Sequence, residues 1–425
     1  MKSVLKCVQS SCERKYPLLS GRNLCECGGL LEVDHSEVLA QLRWQNWMRI
    51  LERRWGAKNL PDSSGVWRYR DLILPGFPDE KIISRAEGNT RVYEFSKLAE
   101  MAAVRKLMFK HEGENPTGSF KDRGMTVVVS WAKHLGSRAL LCASTGNTAA
   151  SVASYARAAG MRAYILMPSE RVALGKVSQA IAYGARVIKV RGNFDACMKL
   201  VAAHGSELGL HVVNSINPVR LEGQKTIIWE LLEQLHWQLP NWIILPGGNL
   251  GNVSAFGKAL REIFLAGVID YSQMPRLAVI QAKGANPFYR AFRENFTMRF
   301  VLPEAKTIAS AIEIGVPINH SKAAQAIRFT RGVVEKVSDE EIMEAKALLD
   351  REGVGAEPAS CATLAGLLKL RASGIIEESD FVVCILTGHF LKDQTATLNF
   401  HESDSPLANR SVVIEPTLDE LKKVL

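Results

Sequence analysis

Residues 138–167 read RALLCASTGNTAASVASYARAAGMRAYILM, with two short apolar runs on either side of a longer segment. The apolar runs 138–142 and 163–167 are predicted strands, and residues 149–159 between them are a predicted helix. A strand, a helix and a second strand in this order form a βαβ unit with parallel strands. The polar loop 144–148 then follows the carboxyl end of a strand, where open sheets of this kind bind ligands.

The same alternation continues on both sides of this unit. Further strands are predicted at residues 107–110, 186–190, 211–213, 242–245 and 380–386, and further helices are centred near Val128, Ser178 and Leu200 or span residues 253–264 and 342–351. The fold class predicted is therefore α/β with parallel strands. At 425 residues the chain is long enough for two domains and a small appendage.

The charge balance favours a small anionic ligand. The 53 Lys and Arg residues exceed the 44 Asp and Glu residues by nine, and the basic residues are dispersed rather than clustered. A polymer such as nucleic acid, or a membrane surface, is more often met by a dense basic run. No apolar run approaches the roughly 18 residues that cross a bilayer, and the N-terminal residues lack a long apolar core, so we expect a cytoplasmic protein.

The cysteines form two groups. Cys142, Cys197, Cys361 and Cys384 lie in apolar segments and are expected to be reduced core residues. Cys7, Cys12, Cys25 and Cys27 lie within a short N-terminal segment and suggest a zinc ribbon. Only one residue separates Cys25 from Cys27, whereas paired zinc ligands usually have two to four between them. A bound zinc ion and a metal-free ribbon held by packing both remain open.

A lysine lies at the predicted start of a helix. Residues 115–125 read NPTGSFKDRGM, in which Pro and Gly predict a turn and Ser119 a helix N-cap, so that Lys121 begins the helix. The positive end of the helix dipole favours the neutral amine, which can form a Schiff base with an aldehyde cofactor or transfer protons. A solvent-exposed lysine in a first helical turn is the alternative.

Further loops predict anion binding. The loop Ser144 to Thr148, with its hydroxyls and amide, can bind a carboxylate or phosphate, and the glycine-rich loop 246–252 can bind a phosphate through backbone N–H groups. A structural turn is the alternative for each loop. The glycine-rich loop is neither a Walker nor a G-x-G-x-x-G motif. Arg220 can supply a planar fork to a phosphate unless it is a surface residue. Thr387 follows the last strand and can meet a ring nitrogen.

These parts together match what pyridoxal 5′-phosphate (PLP) requires. An amine, a phosphate-binding loop, a donor to the phenolic oxygen and a partner for the ring nitrogen are all present. The chain also resembles the threonine synthases, PLP enzymes of fold type II in the tryptophan synthase β-like group. The resemblance is carried by residues 65–69, 87–90, 115–123, 144–148, 214–225, 247–252, 357–360 and 387–393. It implies two open, twisted, mostly parallel sheets flanked by helices, and synthesis of L-threonine from O-phospho-L-homoserine and water.

The resemblance also implies roles for individual residues. Lys121 would hold the cofactor and transfer protons, Asn147 would face its phenolic oxygen, and Thr387 would face its ring nitrogen. The cofactor phosphate would bind Gly247, Gly248, Asn249, Leu250, Gly251 and Asn252; the substrate carboxylate Ser144, Thr145 and Thr148; and the substrate phosphate Asn214 and Arg220. Phe390 stands where the family usually has Gly and is expected to reshape the site near the cofactor ring.

The domains implied are a Cys-rich ribbon-like segment at 1–35, a large PLP-binding domain at 36–105 and 216–400, a smaller α/β domain at 106–215 and a tail at 401–425. We expect a homodimer that binds neither nucleic acid nor membranes. One alternative is another fold-type-II PLP enzyme, either a threonine or serine dehydratase or a cysteate synthase. An alternative of another class is a non-catalytic protein that binds partners through a zinc-ribbon-like head.

Overall fold

The computed structural model describes residues 3–169, 174–192, 194–205 and 207–425. Its strands are β1 (Val4–Cys7), β2 (Lys15–Pro17), β3 (Leu31–Asp34), β4 (Val92–Glu94), β5 (Lys106–His111), β6 (Ala139–Ala143), β7 (Arg162–Pro168), β8 (Arg186–Val190), β9 (His211–Val212), β10 (Trp242–Pro246), β11 (Arg276–Ala282), β12 (Val333–Val337) and β13 (Phe381–Leu386).

Its α-helices are α1 (Ser36–Gln41), α2 (Trp44–Arg54), α3 (Arg70–Ile73), α4 (Ser96–Met101), α5 (Lys121–His134), α6 (Asn147–Ala159), α7 (Leu174–Ala182), α8 (Phe194–His204), α9 (Pro218–Gln234), α10 (Gly251–Leu265), α11 (Pro287–Arg293), α12 (His320–Phe329), α13 (Asp339–Arg351), α14 (Pro358–Ala372), α15 (Gln394–His401) and α16 (Leu418–Val424). None of the described helices has the length and apolar character needed to cross a bilayer.

The described strands form three sheets. The larger α/β sheet has the order β12-β11-β10-β13-β5-β4 and is parallel except for β4, and the smaller has the order β8-β7-β6-β9 and is parallel throughout. A three-stranded antiparallel sheet, β2-β1-β3, forms the N-terminal segment. The predicted fold class, with two mostly parallel sheets and a ribbon-like segment, is confirmed.

The central strands owe their position to continuous apolar sequence. Trp242–Pro246 and Phe381–Leu386 are buried at every residue. Strands covered by helices on both faces need such runs, because neither face meets water. In the smaller sheet, Ala139–Ala143 is buried throughout, whereas the edge strand Arg186–Val190 is largely exposed.

Two local predictions differ from the structure. The strand β5, expected in the smaller domain, pairs with β13 in the larger sheet, where Phe109 lies opposite Cys384. Sequence order cannot reveal this, because the chain completes one strand of the larger sheet before crossing to the smaller one. Apolar residues between 35 and 55 recur three and four positions apart, which predicts one amphipathic helix. The structure has two helices there, since Leu42 and Arg43 have extended backbones. The division into domains stays a prediction.

Candidate active site

A cavity of about 1190 Å³ lies where loops of the two parallel sheets meet. Loops that follow β5, β6, β10 and β13 line it, as expected for the carboxyl ends of parallel strands. The predicted site residues on its wall are Lys121, Ser144, Thr145, Asn147, Thr148, Asn214, Arg220, Gly248, Asn249, Leu250, Gly251, Asn252 and Thr387. Segments far apart in sequence therefore converge on one chamber.

Lys121 is the first residue of α5, but the turn before it is held differently from the prediction. The N-cap position is Phe120, and the buried Ser119 hydroxyl has no hydrogen-bond partner among the described residues. The Asp122 carboxylate holds the turn instead: it accepts hydrogen bonds from the Thr117 N–H at 2.6 Å and the Thr117 hydroxyl at 2.7 Å. A third bond, from the Ser151 hydroxyl at 2.6 Å, ties the turn to α6.

The turn is also fixed to the loop that carries Thr387. The Phe120 N–H donates to the Thr387 carbonyl at 3.0 Å, and the His389 N–H donates to the Gly118 carbonyl at 2.9 Å. Gly118 has a φ of +82°, a conformation that glycine adopts without a steric penalty. These bonds set the Lys121 amine and the Thr387 hydroxyl on adjacent parts of the wall.

The Lys121 amine has unusual electrostatics. Burial and then the charge of Arg220 lower its pKa from the ordinary value, Glu357 partly opposes both, and the resulting pKa is about 7. Near neutral pH a large fraction of this amine is therefore unprotonated. A neutral amine is the form that attacks an aldehyde carbon.

Glu357 is a site residue that sequence reasoning missed. One carboxylate oxygen accepts from the Asn147 amide at 2.9 Å, and the other accepts from the Thr387 hydroxyl at 3.2 Å. Burial raises the pKa of this carboxyl, while the bonds from Asn147 and Thr387 and the charges of Lys392 and Lys121 oppose the rise. The available signal was Glu357-Pro358 at a helix start, which by itself predicts only a structural N-terminus.

The glycine-rich loop presents backbone donors to the cavity. No described residue accepts a hydrogen bond from the N–H groups of Gly248, Asn249 or Leu250, and Leu250 has a φ of +62° just before α10. Unpaired N–H groups beside a helix N-terminus form an anion-binding surface.

Gly247 differs from its neighbours in this loop. Its N–H donates to the Ile280 carbonyl at 2.7 Å, its carbonyl accepts from Gln281 at 2.9 Å, and it is not on the cavity wall. A Cβ at this position would lie 2.5 Å from Val279, so the glycine allows close packing against β11. The sequence-based role for Gly247 in phosphate binding has no support in this placement.

Arg220 is a buried cation without an anionic partner in the described part of the chain. Its guanidinium donates to the Val213 carbonyl at 3.0 Å and the Thr148 hydroxyl at 3.3 Å, while Nε has no hydrogen-bond partner in the described part of the chain. Burial lowers its pKa to about 10, yet it remains charged at neutral pH. Among the described residues, no carboxylate lies within 4.0 Å of this group. A buried, unpaired guanidinium favours an anionic ligand.

Asn214 lies on the cavity wall and also has a structural role, whereas Phe390 lies away from the cavity. The Asn214 amide accepts from the Ala143 N–H at 3.1 Å and donates to the Ala143 carbonyl at 2.9 Å, which ties its loop to β6. The Phe390 ring lies against Gly355 and is not on the cavity wall. Its expected effect near the cofactor ring therefore has no structural basis here.

The chamber has the donors that PLP needs. A lysine with a lowered pKa supplies the amine, the unpaired N–H groups of the glycine-rich loop match a phosphate, and the Asn147 amide and Thr387 hydroxyl can meet polar atoms of the ring. The cavity volume also leaves room for a substrate beside the cofactor. Fold and site together define a PLP-dependent enzyme built on two parallel sheets.

Comparisons with known proteins agree with this class. The family described as pyridoxal-phosphate dependent enzyme matches residues 83–388. Threonine synthase from Methanocaldococcus jannaschii is 43% identical over 423 residues, covering 99% of this chain and 98% of that protein. Threonine synthase from Methanosarcina acetivorans is 40% identical over 425 residues, covering 99% of this chain and 98% of that protein. The chain belongs to the threonine synthase family of PLP-dependent enzymes.

Solved structures support the fold. The crystal structure of threonine synthase from Escherichia coli superposes with a TM-score of 0.70 at 18% identity, covering 98% of this chain and 94% of that one. Maize serine racemase gives a TM-score of 0.64 at 23% identity, covering 80% of this chain and 96% of that one. At these identities the likeness concerns the fold alone.

Proposed function

We propose that this enzyme converts O-phospho-L-homoserine and water to L-threonine and phosphate, as a PLP-dependent lyase acting on a phosphate ester. The observation that carries the substrate assignment is the buried guanidinium of Arg220, which faces the same cavity as Lys121 and has no carboxylate partner among the described residues. A substrate phosphate would supply the missing negative charge. The nearly full-length similarity to threonine synthases supports the same reaction.

The cofactor would be held by residues of both sheets. Lys121 would provide the amine, the N–H groups of Gly248 to Asn252 would bind the phosphate, Asn147 would face the phenolic oxygen and Thr387 would face the ring nitrogen. When bound, PLP withdraws electrons from the substrate's α-carbon and so weakens the neighbouring C–H bonds. Glu357 orients both Asn147 and Thr387 through the bonds described above.

Side chains of the protein bind the substrate and transfer its protons. Ser144, Thr145 and Thr148 bind its carboxylate, and Arg220 binds the phosphate that leaves from the γ-carbon. The Lys121 amine, whose lowered pKa lets it exist in both protonation states near neutrality, removes and returns protons. Asn214, which lies on the cavity wall, also fixes its loop to β6, and Gly247 packs the glycine-rich loop against β11.

Product analysis tests the proposal and its rivals. Purified holoenzyme incubated with O-phospho-L-homoserine should release L-threonine and phosphate in equal amounts. Formation of 2-oxobutyrate from threonine would indicate a dehydratase, and activity on phosphoserine without activity on phosphohomoserine would indicate a cysteate synthase. A protein that forms no coloured complex with PLP and binds nucleic acid would favour the non-catalytic alternative.

Location and assembly are also proposals. The eight cysteines, all free in the described structure, are compatible with the reducing cytoplasm. A homodimer is supported by apolar side chains near the C-terminus that stay exposed within one chain, among them Val413, Leu418 and Leu425. Light scattering coupled to size-exclusion chromatography measures the assembly: a mass of one chain at micromolar concentration would contradict the dimer.

A further inference from the structure

The four N-terminal cysteines converge on one point, despite the short spacing of the second pair. The sulfurs of Cys7 and Cys27 are 3.6 Å apart, those of Cys12 and Cys25 are 3.7 Å apart, and all four lie within 4.8 Å of one another. In a tetrahedral zinc site with Zn–S bonds of about 2.3 Å, neighbouring sulfurs are roughly 3.8 Å apart. Two of the sulfur separations therefore match a zinc tetrahedron, and all four sulfurs lie close enough together to share one ion.

Two tight turns bring the sulfurs together. Cys7 ends β1 and Cys12 closes the turn after it, where its N–H donates to the Gln9 carbonyl at 3.0 Å. In the second turn the Gly28 N–H donates to the Cys25 carbonyl at 2.9 Å, and Gly28 has a φ of +79°. The single residue between Cys25 and Cys27 suffices because each of these two thiols approaches a cysteine of the first turn.

Hydrogen-bond donors and a cation lie close to the four sulfurs. Backbone N–H groups of Gln9, Cys27 and Gly29 donate to the sulfurs of Cys7, Cys25 and Cys27. The Tyr16 hydroxyl lies 3.2 Å from the Cys25 sulfur, and Arg14 lies close enough to Cys12 for their charges to interact. Such donors and cations stabilise the negative charge that four metal-bound sulfurs carry.

The main structural rival is a pair of disulfides. A disulfide requires about 2.05 Å between sulfurs, so the 3.6 Å and 3.7 Å pairs are not bonded. Disulfides would also separate the cysteines into two independent pairs, whereas all four sulfurs here share one centre. Four sulfur ligands leave no position for water or substrate, so the site suits a structural metal.

The N-terminal head, the Cys-rich segment that ends at residue 35, is fixed to the rest of the protein at helices α9, α10 and α12. Lys258 of α10 donates to the Val33 carbonyl at 2.5 Å, Lys322 of α12 donates to the Leu31 carbonyl at 2.5 Å, and Arg261 pairs with Glu32 at 2.9 Å. His35 contacts Glu222 of α9 at 2.7 Å, two residues after Arg220. None of the four cysteines is on the cavity wall, so an ordered head supports the site only through these helices.

We propose that Cys7, Cys12, Cys25 and Cys27 bind one zinc ion, which folds the N-terminal head and thereby supports the helices that carry the active site. Zinc displaces the thiol protons to solvent as four Zn–S bonds form, and no redox step occurs. The ion stabilises the head and takes no part in the reaction at Lys121.

Metal analysis of the full-length holoenzyme tests this proposal. Mass spectrometry of the metal content should find zinc equimolar with the chain in the wild type, and zinc should be lost in Cys12→Ser and Cys25→Ser. Cys197→Ser is the matched control, because it removes a buried cysteine outside the head and should keep zinc. Loss of zinc should lower Tm while KM for the substrate changes little.

The wild type alone gives a second readout that does not depend on how the variants fold. Cobalt exchanged into the chelator-treated protein should give the absorption of tetrahedral cobalt with sulfur-to-metal charge transfer. Iron in place of zinc, two disulfides in the unreduced protein, or a folded metal-free wild type with four titratable thiols after zinc addition would each overturn the proposal.

Discussion

Three consecutive side chains at the start of α5 serve three different parts of the molecule. Lys121 faces the cavity, Asp122 holds the turn before it, and Arg123 enters a buried ion cluster. In that cluster the guanidinium contacts Glu112 at 2.6 Å and Glu230 at 2.7 Å. Residues along a helix are rotated by about 100° from one to the next, so neighbours face different surroundings. The two charged neighbours therefore position the catalytic lysine.

Replacing Lys121 should abolish the chemistry and keep the fold. In Lys121→Ala the amine that holds the cofactor and transfers protons is gone, so kcat should fall by at least about 10²–10⁴-fold, the usual contribution of proton transfer alone. The absorbance of the covalently held cofactor should disappear, while far-ultraviolet circular dichroism stays unchanged.

Lys133→Ala is the control for this change, because Lys133 is exposed near the other end of the same helix. The assigned role would be contradicted if Lys121→Ala kept wild-type activity. It would also be contradicted if the variant lost activity together with helix content.

The lowered pKa of Lys121 predicts a pH dependence for cofactor loading. The neutral amine predominates above its pKa of about 7, so the rate of reconstitution of the cofactor-free enzyme with PLP should rise about tenfold between pH 6 and 8 and then level off. Stopped-flow absorbance measures this rate. A lysine of ordinary pKa would show a rate that keeps increasing past pH 9.

Arg220 should contribute to substrate recognition through its planar fork. Arg220→Lys keeps a charge but loses the fork, and the loss of a charged hydrogen bond of about 1.5–3 kcal/mol corresponds to roughly 10- to 150-fold in kcat/KM. Steady-state kinetics with phosphohomoserine should show the change mainly in KM. Arg162→Ala, at an exposed position in β7, should leave kcat/KM unaltered. An unchanged KM in Arg220→Lys would remove the phosphate assignment.

At the scale of elements, the contact between α5 and α9 sets the distance between the lysine and the arginine. A Cβ on Gly223 would lie 1.8 Å from the Arg123 carbonyl oxygen, and a Cβ on Gly124 would lie 2.8 Å from the Arg220 carbonyl oxygen. Only glycine permits this approach of two backbones. The helix that begins at Lys121 and the helix that carries Arg220 thus pack at close range.

Adding one methyl group at this contact should disturb both stability and catalysis. Gly223→Ala must separate α5 from α9, at a cost of about 1–3 kcal/mol for overpacking, so Tm and kcat/KM should both decrease. Differential scanning fluorimetry and kinetics provide the two measurements.

Gly257→Ala is a matched control, since its Cβ would meet Ala326 of α12 at 2.2 Å, away from the contact between α5 and α9. It should lower Tm and keep kcat/KM. Equal losses of activity in the two variants would show that the glycine at 223 has no special link to the site.

At the scale of the whole molecule, a second buried ion cluster, centred on Glu222, joins the N-terminal head to the rest of the protein. Glu222 contacts His35 at 2.7 Å and Lys225 at 2.6 Å, and it also pairs with Lys258. Burial alone would raise the pKa of Glu222, but Lys225, Lys258 and His35 hold it well below the usual range. The carboxylate therefore balances cations from α9 and α10 beneath the head.

Removing this carboxylate should destabilise the assembled protein. Glu222→Ala leaves Lys225 and Lys258 buried with less negative charge, a change that typically costs about 3–5 kcal/mol. A lowered Tm and faster proteolysis of the head are expected. Glu344→Ala, at an exposed position of α13, should change neither. A stable Glu222→Ala protein with a protected head would contradict the proposed attachment.

Several features were predictable because they depend on local sequence. The alternation around residues 138–167 gave the parallel sheet, and the turn before Lys121 gave a lysine at a helix start. Glu357 was not predictable as a site residue, because its partners Asn147 and Thr387 are distant in sequence. Gly247 was assigned to the phosphate by its place in a glycine run, yet its contacts with Ile280 and Gln281 depend on the neighbouring strand.

The sequence by itself determined the fold class, the cofactor chemistry and most of the loops on the cavity wall, because strand periodicity and loop composition are local properties. The tertiary structure was needed to place β5 in the larger sheet, to pair Asp122 with the turn and to bury Arg220 with no carboxylate partner among the residues that the structure describes. It was also needed to bring four unevenly spaced thiols to one centre. Each of these depends on segments distant in sequence, whose contacts are fixed only when the sheets and helices pack together.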